Sequence, residues 1–310
     1  MSKLISIVSP IYNEEGNIKL FYQELNKFVT PTNYDFEYIF VNDGSRDNSL
    51  VNLLELAQND SHIKIINLSR NFGHQLAITA GLDNAKGDAV IILDSDLQDP
   101  PGLIPQLLQK WEEGFEIVNA KRRTRNDGFF KDFSAKLFYK FLNSILSSKI
   151  PENVGDYRLL DKKCVTILQN IKEKDRYLRG LSTWIGFTQG VVLFDRDKRH
   201  SGVTHYPLSK MFGLGLNAIF SFSHLPMKLA TFFCIFFLGI SGVTVIYVLL
   251  SIIQGHNVAG WASTVLIFAL FSGIQMFVLA IISEYVGRIY FQVQNRPLYI
   301  VDKIITFKKD

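Results

Sequence analysis

The feature that most constrains this chain is a long stretch without formal charge. Residues 229–283 contain no Asp, Glu, Lys or Arg, whereas residues 1–228 carry the ordinary charge of a soluble domain. Within the stretch, residues 229–253 and 262–283 are each long and apolar enough for a bilayer, which needs about 20 apolar residues. A buried helical hairpin in a soluble protein is the alternative, but two adjacent full-length segments are rare in soluble cores. The sequence therefore predicts a folded domain followed by two transmembrane helices.

The charges that flank these segments predict their orientation. Lys228 precedes them, basic residues recur from Arg288 onward, and residues 254–261 between them carry no formal charge. By the positive-inside rule, both termini then lie in the cytosol. The N-terminus lacks the apolar region and cleavage site of a signal peptide, so the first domain stays there as well. We expect a multi-pass protein of the inner or plasma membrane, with membrane region 229–287 and cytosolic tail 288–310.

The first domain, residues 1–228, alternates short apolar runs with helical patterns. The predicted strands are 4–9, 37–41, 64–68, 89–93 and 116–120, and the predicted helices between them are 17–29, 47–59, 74–85 and 102–113. This alternation is typical of βαβ units and a mostly parallel sheet. Ligands of such sheets bind beyond the carboxyl ends of the strands, where we look for chemistry.

Two further segments have an amphipathic helical pattern. In the first, about residues 129–146, the apolar side chains share one face of the helix and the lysines lie elsewhere. The second, about residues 207–222, has no charged residue after Lys210. Both could pack on the core of the domain or lie in the membrane interface. We treat them as interface helices.

Asp94 and Asp96 follow the fourth predicted strand, with Gln98 and Asp99 just beyond. Neighbouring carboxylates repel each other, and a divalent cation removes this cost. Mg²⁺ or Mn²⁺ binds through one or two carboxylates together with substrate phosphates and neutralises charge on a leaving diphosphate. A polar turn that caps the next helix is the structural alternative. The position after a buried strand favours a metal site at Asp94 and Asp96.

Polar motifs follow the first three strands too, beginning at Pro10, Asn42 and Ser69. In the second, Asp43 could accept hydrogen bonds from a base or ribose, and Gly44 gives the backbone room to turn; the same letters also suit a turn with an N-cap. The sequence has no Gly-rich phosphate loop, which counts against a dehydrogenase or an ATPase. The net charge of +4 is too small to indicate a nucleic-acid partner.

Together these motifs resemble those of family 2 glycosyltransferases. The segments that carry the resemblance are Pro10-Ile-Tyr-Asn-Glu-Glu15, Val41-Asn-Asp-Gly-Ser45, Leu68-Ser-Arg-Asn-Phe-Gly73, Leu93-Asp-Ser-Asp-Leu-Gln-Asp-Pro-Pro101 and Gly155-Asp-Tyr-Arg158. More narrowly, the chain is similar to the polyprenyl-phosphate glycosyltransferases, from near Leu4 to near Pro297, and most of all to the bactoprenol glucosyltransferase type. The resemblance implies a GT-A fold, which is Rossmann-like, and a two-helix anchor.

The resemblance also implies roles for individual residues. It assigns the catalytic role to Asp156 and Asp96, and the metal and diphosphate site to Asp94 and Asp96. The positions that it implies for nucleotide-sugar binding are Pro10, Tyr12, Glu14, Asp43, Arg70, Asp94 and Gln98. An acceptor phosphate is already ionised, so Asp156 could position a substrate more than remove a proton. An ion pair with Arg158 is the structural alternative for Asp156.

On the acceptor side, the resemblance implies that Arg122, Arg199 and Thr204 bind the phosphate, which suits the fork of an arginine. A solvated basic loop is the alternative for Arg122. Many relatives have lysine where this chain has His205, and a neutral histidine binds phosphate less firmly.

The expected function is inverting transfer of a hexose, glucose by resemblance, from a UDP-sugar to polyprenyl phosphate. The expected partners are that donor, the lipid acceptor, the bilayer and, by analogy with relatives, further copies of the chain in a tetramer. The same fold could transfer mannose, GlcNAc or an aminopentose instead. A processive synthase is disfavoured because the chain lacks a Gln-x-x-Arg-Trp motif. A catalytically silent nucleotide-binding protein is disfavoured because Asp94, Asp96 and Asp156 are all present.

Overall fold

A computed structural model describes residues 2–123, 154–174, 176–195, 225–254 and 260–307. The chain divides into two compact units. Among the described residues, the first unit contains all the strands and the shorter helices, and the second contains the long helices between residues 225 and 293. The two predicted amphipathic helices, about 129–146 and 207–222, lie outside the described residues.

The first unit alternates strands and helices, as the sequence predicts. Its elements are β1 (Leu4–Ile11), α1 (Ile18–Val29), β2 (Asp35–Asn42), α2 (Ser49–Asn59), β3 (Ile63–Leu68), α3 (His74–Asp83), β4 (Ala89–Ile92), a 3₁₀ turn (Pro101–Leu103), α4 (Ile104–Glu112), β5 (Ile117–Arg122), β6 (Val154–Asp161), α5 (Lys162–Asn170), α6 (Leu178–Trp184), β7 (Gln189–Phe194) and β8 (Val301–Thr306).

One eight-stranded sheet runs through the unit in the order β7-β5-β6-β4-β1-β2-β3-β8. Four of the strand pairs are parallel: β1–β2, β1–β4, β2–β3 and β5–β7. Strand β6 is antiparallel to both of its neighbours, β4 and β5, and β8 is antiparallel to β3. The prediction of a mostly parallel α/β sheet is therefore confirmed. Strands β1 and β4 are buried over nearly their whole length, because helices cover both faces of a parallel sheet.

Three strands have no counterpart in the sequence prediction: β6, β7 and β8. Strand β6 carries two charged residues in its buried middle, Asp156 and Arg158, so it lacks the apolar run by which buried strands are recognised. It lies antiparallel between β4 and β5, with Arg158 opposite Ile92. This register brings the start of β6 beside the end of β4, and so Asp156 beside Asp94.

Strand β8 comes from the segment that the sequence assigns to a C-terminal tail. It pairs with β3 at the edge of the sheet, Ile305 opposite Ile65. Ser69 N donates to Ile300 O over 3.0 Å, and the hydroxyl of Tyr299 donates to Asp83 over 2.7 Å. Residues on both sides of the long helices therefore belong to the same sheet.

The second unit is built on α7 (Leu225–Ile253) and α8 (Trp261–Val293). Phe233 contacts Phe277, and Phe237 contacts Phe271, each with ring centroids 5.6 Å apart. The contacts advance along one helix as they recede along the other, so the helices are antiparallel. Among the described residues one helical stretch, Leu270–Val293, is long and apolar enough to cross a membrane, and Pro226–Phe237 is a shorter apolar stretch. The two predicted spans thus correspond to two long helices, one of which contains such a candidate.

Candidate active site

The strand-end motifs meet at the carboxyl edge of the parallel strands, where two loops fit closely at Gly44. Gly44 has a φ of +64°. A Cβ atom at this position would lie 2.5 Å from both Arg70 C and Asn71 N. Only glycine therefore allows the loop after β2 to pack on the loop after β3.

The loop after β1 is fixed to the loop after β2 by a ladder of backbone and side-chain hydrogen bonds. Asn13 N donates to Ser45 Oγ over 3.1 Å, and Arg46 N donates back to Asn13 Oδ1 over 2.9 Å. Glu14 N donates to Ser49 Oγ over 2.9 Å. The same loop leaves the ring of Tyr12 exposed, so this ring is available to a ligand.

Asp43 joins the second loop to the third. Its buried carboxylate accepts hydrogen bonds from the backbone N–H groups of Phe72, over 2.7 Å, and Gly73, over 2.9 Å. Burial raises the pKa of Asp43, although these two donors oppose the shift. Arg70 lies on the same loop, with its guanidinium over the ring of Phe72 at 4.2 Å. The three loops thus form one continuous rim.

An acidic centre lies where β4 ends. Asp94 and Asp96 are half-buried, and Asp99 is buried and lies 3.4 Å from the guanidinium of Arg122. Asp96 Oδ1 accepts a hydrogen bond from Gln98 N over 3.1 Å. Leu97 has a φ of +58°, an unfavourable backbone conformation that a non-glycine residue keeps only where the surroundings impose it. The turn therefore holds the two carboxylates in a fixed arrangement.

Asp156, on β6, faces this acidic centre and binds Arg179 of α6. Arg179 Nε donates to Asp156 Oδ1 and Arg179 Nη2 donates to Asp156 Oδ2, both over 2.9 Å. Gln75 Nε2 donates to Asp156 Oδ2 over 3.1 Å. Arg158 instead donates to Gly155 O over 2.7 Å and to the hydroxyl of Ser182. The ion pair of Asp156 is thus with Arg179, and the alternative of a pair with Arg158 was wrong.

His74, the first residue of α3, lies between the two carboxylates. Its Nε2 atom is 3.3 Å from Asp156 Oδ2 and 3.6 Å from Asp94 Oδ1. Burial by itself lowers the pKa of this imidazole, but Asp94 and Asp156 raise it to about 9. Burial raises the pKa of Asp94 to about 6, opposed by His74 and assisted by the neighbouring carboxylates.

The donor set at Asp94 fits a divalent cation. Asp94 Oδ1 is buried and accepts no hydrogen bond from the described residues, and His74 Nε2, at 3.6 Å, lies beyond hydrogen-bonding distance of it. A buried carboxylate oxygen without a hydrogen bond is costly. Asp96 supplies a second carboxylate two residues away. No group of three or more His, Cys, Asp or Glu side chains within the described ranges is arranged to hold a metal ion alone. One or two carboxylates completed by substrate phosphates are the arrangement that Mg²⁺ prefers.

The family model of Glycosyl transferase family 2 matches residues 6–167, which include the acidic centre and Asp156. The chain belongs to this family. It is therefore a glycosyltransferase, as the motifs predicted.

Several curated proteins match this glycosyltransferase over nearly its full length. The uncharacterized glycosyltransferase YkcC of Bacillus subtilis (strain 168) is 45% identical, over 96% of this chain and 93% of that protein. The SfII prophage-derived bactoprenol glucosyl transferase of Shigella flexneri is 38% identical, over 96% and 97%. The prophage bactoprenol glucosyl transferase homolog of Escherichia coli (strain K12) is 37% identical, over 97% and 99%.

Among solved structures, the crystal structure of mannosyl-3-phosphoglycerate synthase from Rubrobacter xylanophilus is similar in fold. The two chains are 18% identical with a TM-score of 0.50, over 70% of this chain and 72% of that one. This likeness supports the α/β glycosyltransferase fold of the first unit.

On the acceptor side of the glycosyltransferase, the structure describes only one of the expected arginines. Arg122 is the last residue of β5, and its Nη2 atom lies 3.4 Å from Asp99 Oδ1. Both side chains lie close to Gly155, the residue before Asp156. Arg199, Thr204 and His205 lie outside the described residues.

Sequence reasoning missed three residues of this site: His74, Gln75 and Arg179. His74 and Gln75 directly follow the motif at Ser69–Gly73, so their position at the start of a helix after a strand could have pointed to them. Arg179 has no such signal. It lies on a seven-residue helix, and only the folding of α6 against β6 brings it to Asp156.

Proposed function

We propose that this glycosyltransferase transfers a hexose, glucose in the first instance, from a UDP-sugar to a polyprenyl phosphate, with inversion, at the cytosolic face of a membrane. The observation that carries the proposal is the likeness to proteins named bactoprenol glucosyl transferase. This likeness covers nearly the full length of the chain, so it includes the long helices as well as the first unit. The geometry of the rim and of the acidic centre supports it.

For the donor, we propose that the rim holds the nucleotide. Tyr12 presents an exposed ring on which uracil can stack. Asp43 accepts one backbone hydrogen bond at each oxygen, and each oxygen has a second lone pair that can accept from uracil. Pro10, Glu14, Arg70 and Gln98 complete the proposed binding surface.

For the diphosphate, we propose that Asp94 and Asp96 hold Mg²⁺ or Mn²⁺. When bound, the ion would neutralise the charge that develops on the leaving UDP. The protein contributes two carboxylates in the turn at Leu97, and a buried Asp94 oxygen that accepts no hydrogen bond within the described part of the chain.

For the reaction, we propose that the acceptor phosphate approaches between Asp156 and Arg122. One of its oxygens attacks the anomeric carbon, the bond from that carbon to the UDP oxygen breaks, and UDP leaves on the opposite side. The new bond forms on the face opposite the leaving group, which inverts the configuration. We propose that Arg122, Arg199 and Thr204 bind the acceptor phosphate, since an arginine fork suits its oxygens.

The membrane attachment that we propose follows from the course of the chain. Strand β8 belongs to the same sheet as β1–β7, so the segment between β7 and β8 must cross a bilayer an even number of times. Helices α7 and α8 have 29 and 33 residues. At about 1.5 Å per residue, each exceeds the roughly 30 Å of a hydrocarbon core. Two crossings, with both termini in the cytosol, are the arrangement that we propose, and the anchor then lies beside the lipid acceptor.

A donor screen tests the proposal. Membranes that contain the protein would be incubated with Mg²⁺ or Mn²⁺, polyprenyl phosphate and one labelled UDP-sugar at a time, and the lipid product identified by mass. We expect a glycosyl-phosphate lipid with UDP-glucose. A product with UDP-GlcNAc, or with a mannose or aminopentose donor, would correct the sugar and leave the reaction. No lipid product with any donor, from folded protein, would contradict the proposed function.

A further inference from the structure

The carboxylate of Asp156 is held by more donors than a reacting base would need. Its side chain is only 6% exposed. Arg179 donates to both of its oxygens over 2.9 Å, Gln75 Nε2 donates to Oδ2 over 3.1 Å, and His74 Nε2 lies 3.3 Å from Oδ2. Such a carboxylate is fixed in one orientation, and a proton on it would break at least one of these contacts.

We propose that Arg179 and Gln75 are positioning residues of the transfer reaction. They hold the carboxylate of Asp156 in one orientation beside Asp94, where it orients the acceptor. This inference rests on the proposed function, because an ionised phosphate acceptor is what makes a general base unnecessary.

Gln75 has a double role in this geometry. Its amide nitrogen donates to Asp156, and its amide oxygen accepts a hydrogen bond from Leu178 N over 3.1 Å. Leu178 begins α6, the helix that carries Arg179. One side chain from α3 therefore orients the carboxylate and also fixes the helix from which the arginine reaches it.

The strand on which Asp156 lies is fixed as well. Arg158, which is buried, donates to Gly155 O over 2.7 Å and to the hydroxyl of Ser182. Ser182 in turn donates to Arg179 O over 3.0 Å. The backbone before Asp156 and the backbone of Arg179 are thereby tied together, which limits movement of the pair as a unit.

The location of the pair distinguishes it from a purely structural one. The side chain of Arg179 is 31% exposed, and Asp156, to which it donates, faces the acidic centre. Arg176, three residues earlier, is buried and donates to the backbone carbonyls of Leu168 and Ile171 over 2.8 and 2.5 Å, away from Asp156. Arg176 stabilises the fold only, and it provides a matched control.

Electrostatics agrees with the geometry. Burial alone would raise the pKa of Asp156, but Arg179 and His74 hold that pKa well below its usual range. A strongly acidic carboxylate is a weak base at neutral pH. Its value to the reaction is its fixed place, since a misplacement of about 1 Å can lower a rate by about 100-fold.

The test compares the wild-type protein with Arg179→Ala, Arg179→Lys, Gln75→Glu and the control Arg176→Lys in the lipid-transfer assay, with thermal unfolding of each. We expect Arg179→Ala to lower kcat by about 100-fold with the KM for the UDP-sugar within about threefold, since the donor loops are untouched. Added guanidinium chloride, and not sodium chloride of equal ionic strength, should restore part of kcat.

The conservative variants keep the inference testable if Arg179→Ala fails to fold. Arg179→Lys keeps the charge without the fork, and Gln75→Glu keeps the acceptor for Leu178 N without the donor for Asp156. Each should lower kcat by at least about tenfold, the worth of one hydrogen bond to a charged group. Gln75→Glu also adds a negative charge beside Asp156, which increases its loss. Arg176→Lys should lower the unfolding temperature with kcat unchanged.

Two results would overturn the inference while the proposed function stands. The first is a wild-type kcat in both Arg179→Lys and Gln75→Glu. The second is a loss of kcat in Arg179→Ala that guanidinium does not restore and that the control Arg176→Lys shows as well. A wild-type protein that makes no lipid product would overturn the proposed function, and this inference with it.

Discussion

At the residue scale, the proposed metal site depends on Asp96. Its carboxylate lies in the turn after β4 and accepts a hydrogen bond from Gln98 N, which an amide oxygen can also accept. Asp96→Asn should therefore preserve the turn and remove the charge. We expect the transfer rate to fall by at least about 100-fold, because a bound cation contributes several kcal/mol to the transition state.

Initial rates of lipid labelling, with calorimetry of UDP binding in the presence and absence of Mn²⁺, measure this effect. Asp35→Asn is the control, because Asp35 is exposed at the amino end of β2. It should leave the labelling rate and the UDP affinity unchanged. Full transfer activity in Asp96→Asn would remove Asp96 from the metal site.

The close fit at Gly44 supports a second prediction at this scale. An alanine there would meet the backbone of Arg70 and Asn71 at 2.5 Å and would also have to adopt a φ of +64°. We expect Gly44→Ala to destabilise the first unit by about 1–3 kcal/mol. It should also weaken UDP binding, because it would separate the loops after β2 and β3, which we propose bind the nucleotide.

Two other glycines separate these causes. Gly114 has a φ of +99° with no atom within 4 Å of where a Cβ atom would lie, and Gly16 has the space without the positive φ. We expect the unfolding temperature to be lowest in Gly44→Ala, intermediate in Gly114→Ala and highest in Gly16→Ala. Equal losses in Gly44→Ala and Gly114→Ala would show that the contact with the Arg70 loop is unimportant.

At the scale of single elements, strand β8 allows a test of how firmly the C-terminal segment is part of the sheet. Ile305 is partly buried and packs against the core, whereas its neighbour Ile304 is 52% exposed. Ile305→Ala should destabilise the unit by about 1–2 kcal/mol, at the lower end for a partly buried isoleucine. Ile304→Ala should have almost no effect, and equal effects of the two changes would argue that β8 does not pair in this register.

The elements also show what the sequence can and cannot predict. The five strands from β1 to β5 were recognised because each is an apolar run beside a helical pattern, and the motifs after β1 to β4 followed from them. Strand β6 was not recognised, because Asp156 and Arg158 interrupt its apolar run. Strand β8 was not recognised either, because only three of its six residues are apolar and it pairs with a strand more than 200 positions away. The pair of Asp156 with Arg179 likewise depends on tertiary packing, and periodicity does not encode it.

At the scale of the whole molecule, the pairing of β8 with β3 constrains the topology more strongly than the flanking charges do. If the long helices cross a membrane, a chain that enters and leaves them from one sheet must return to the side from which it left. Arg288, near the end of α8, is consistent with a cytosolic end, where it pairs with Glu284 over 2.8 Å. One crossing would place β8 on the opposite side from β3 and is incompatible with the sheet.

Labelling of introduced cysteines with a membrane-impermeant maleimide tests this topology. We expect Asn257→Cys, between the two long helices, to react in intact cells, because two crossings place that segment outside. Lys303→Cys, exposed on β8, should react only after the cells are lysed. The wild-type chain has two free cysteines, Cys164, which is buried, and Cys234, which is exposed on α7, and it measures their background labelling before and after lysis. Reaction of Lys303→Cys in intact cells would contradict the cytosolic location that we propose for the sheet, because β8 and β3 lie on the same side in either orientation. Protection of both positions until lysis would leave that pairing intact and show that the two helices do not cross, in which case the acceptor would have to be reached from the membrane surface.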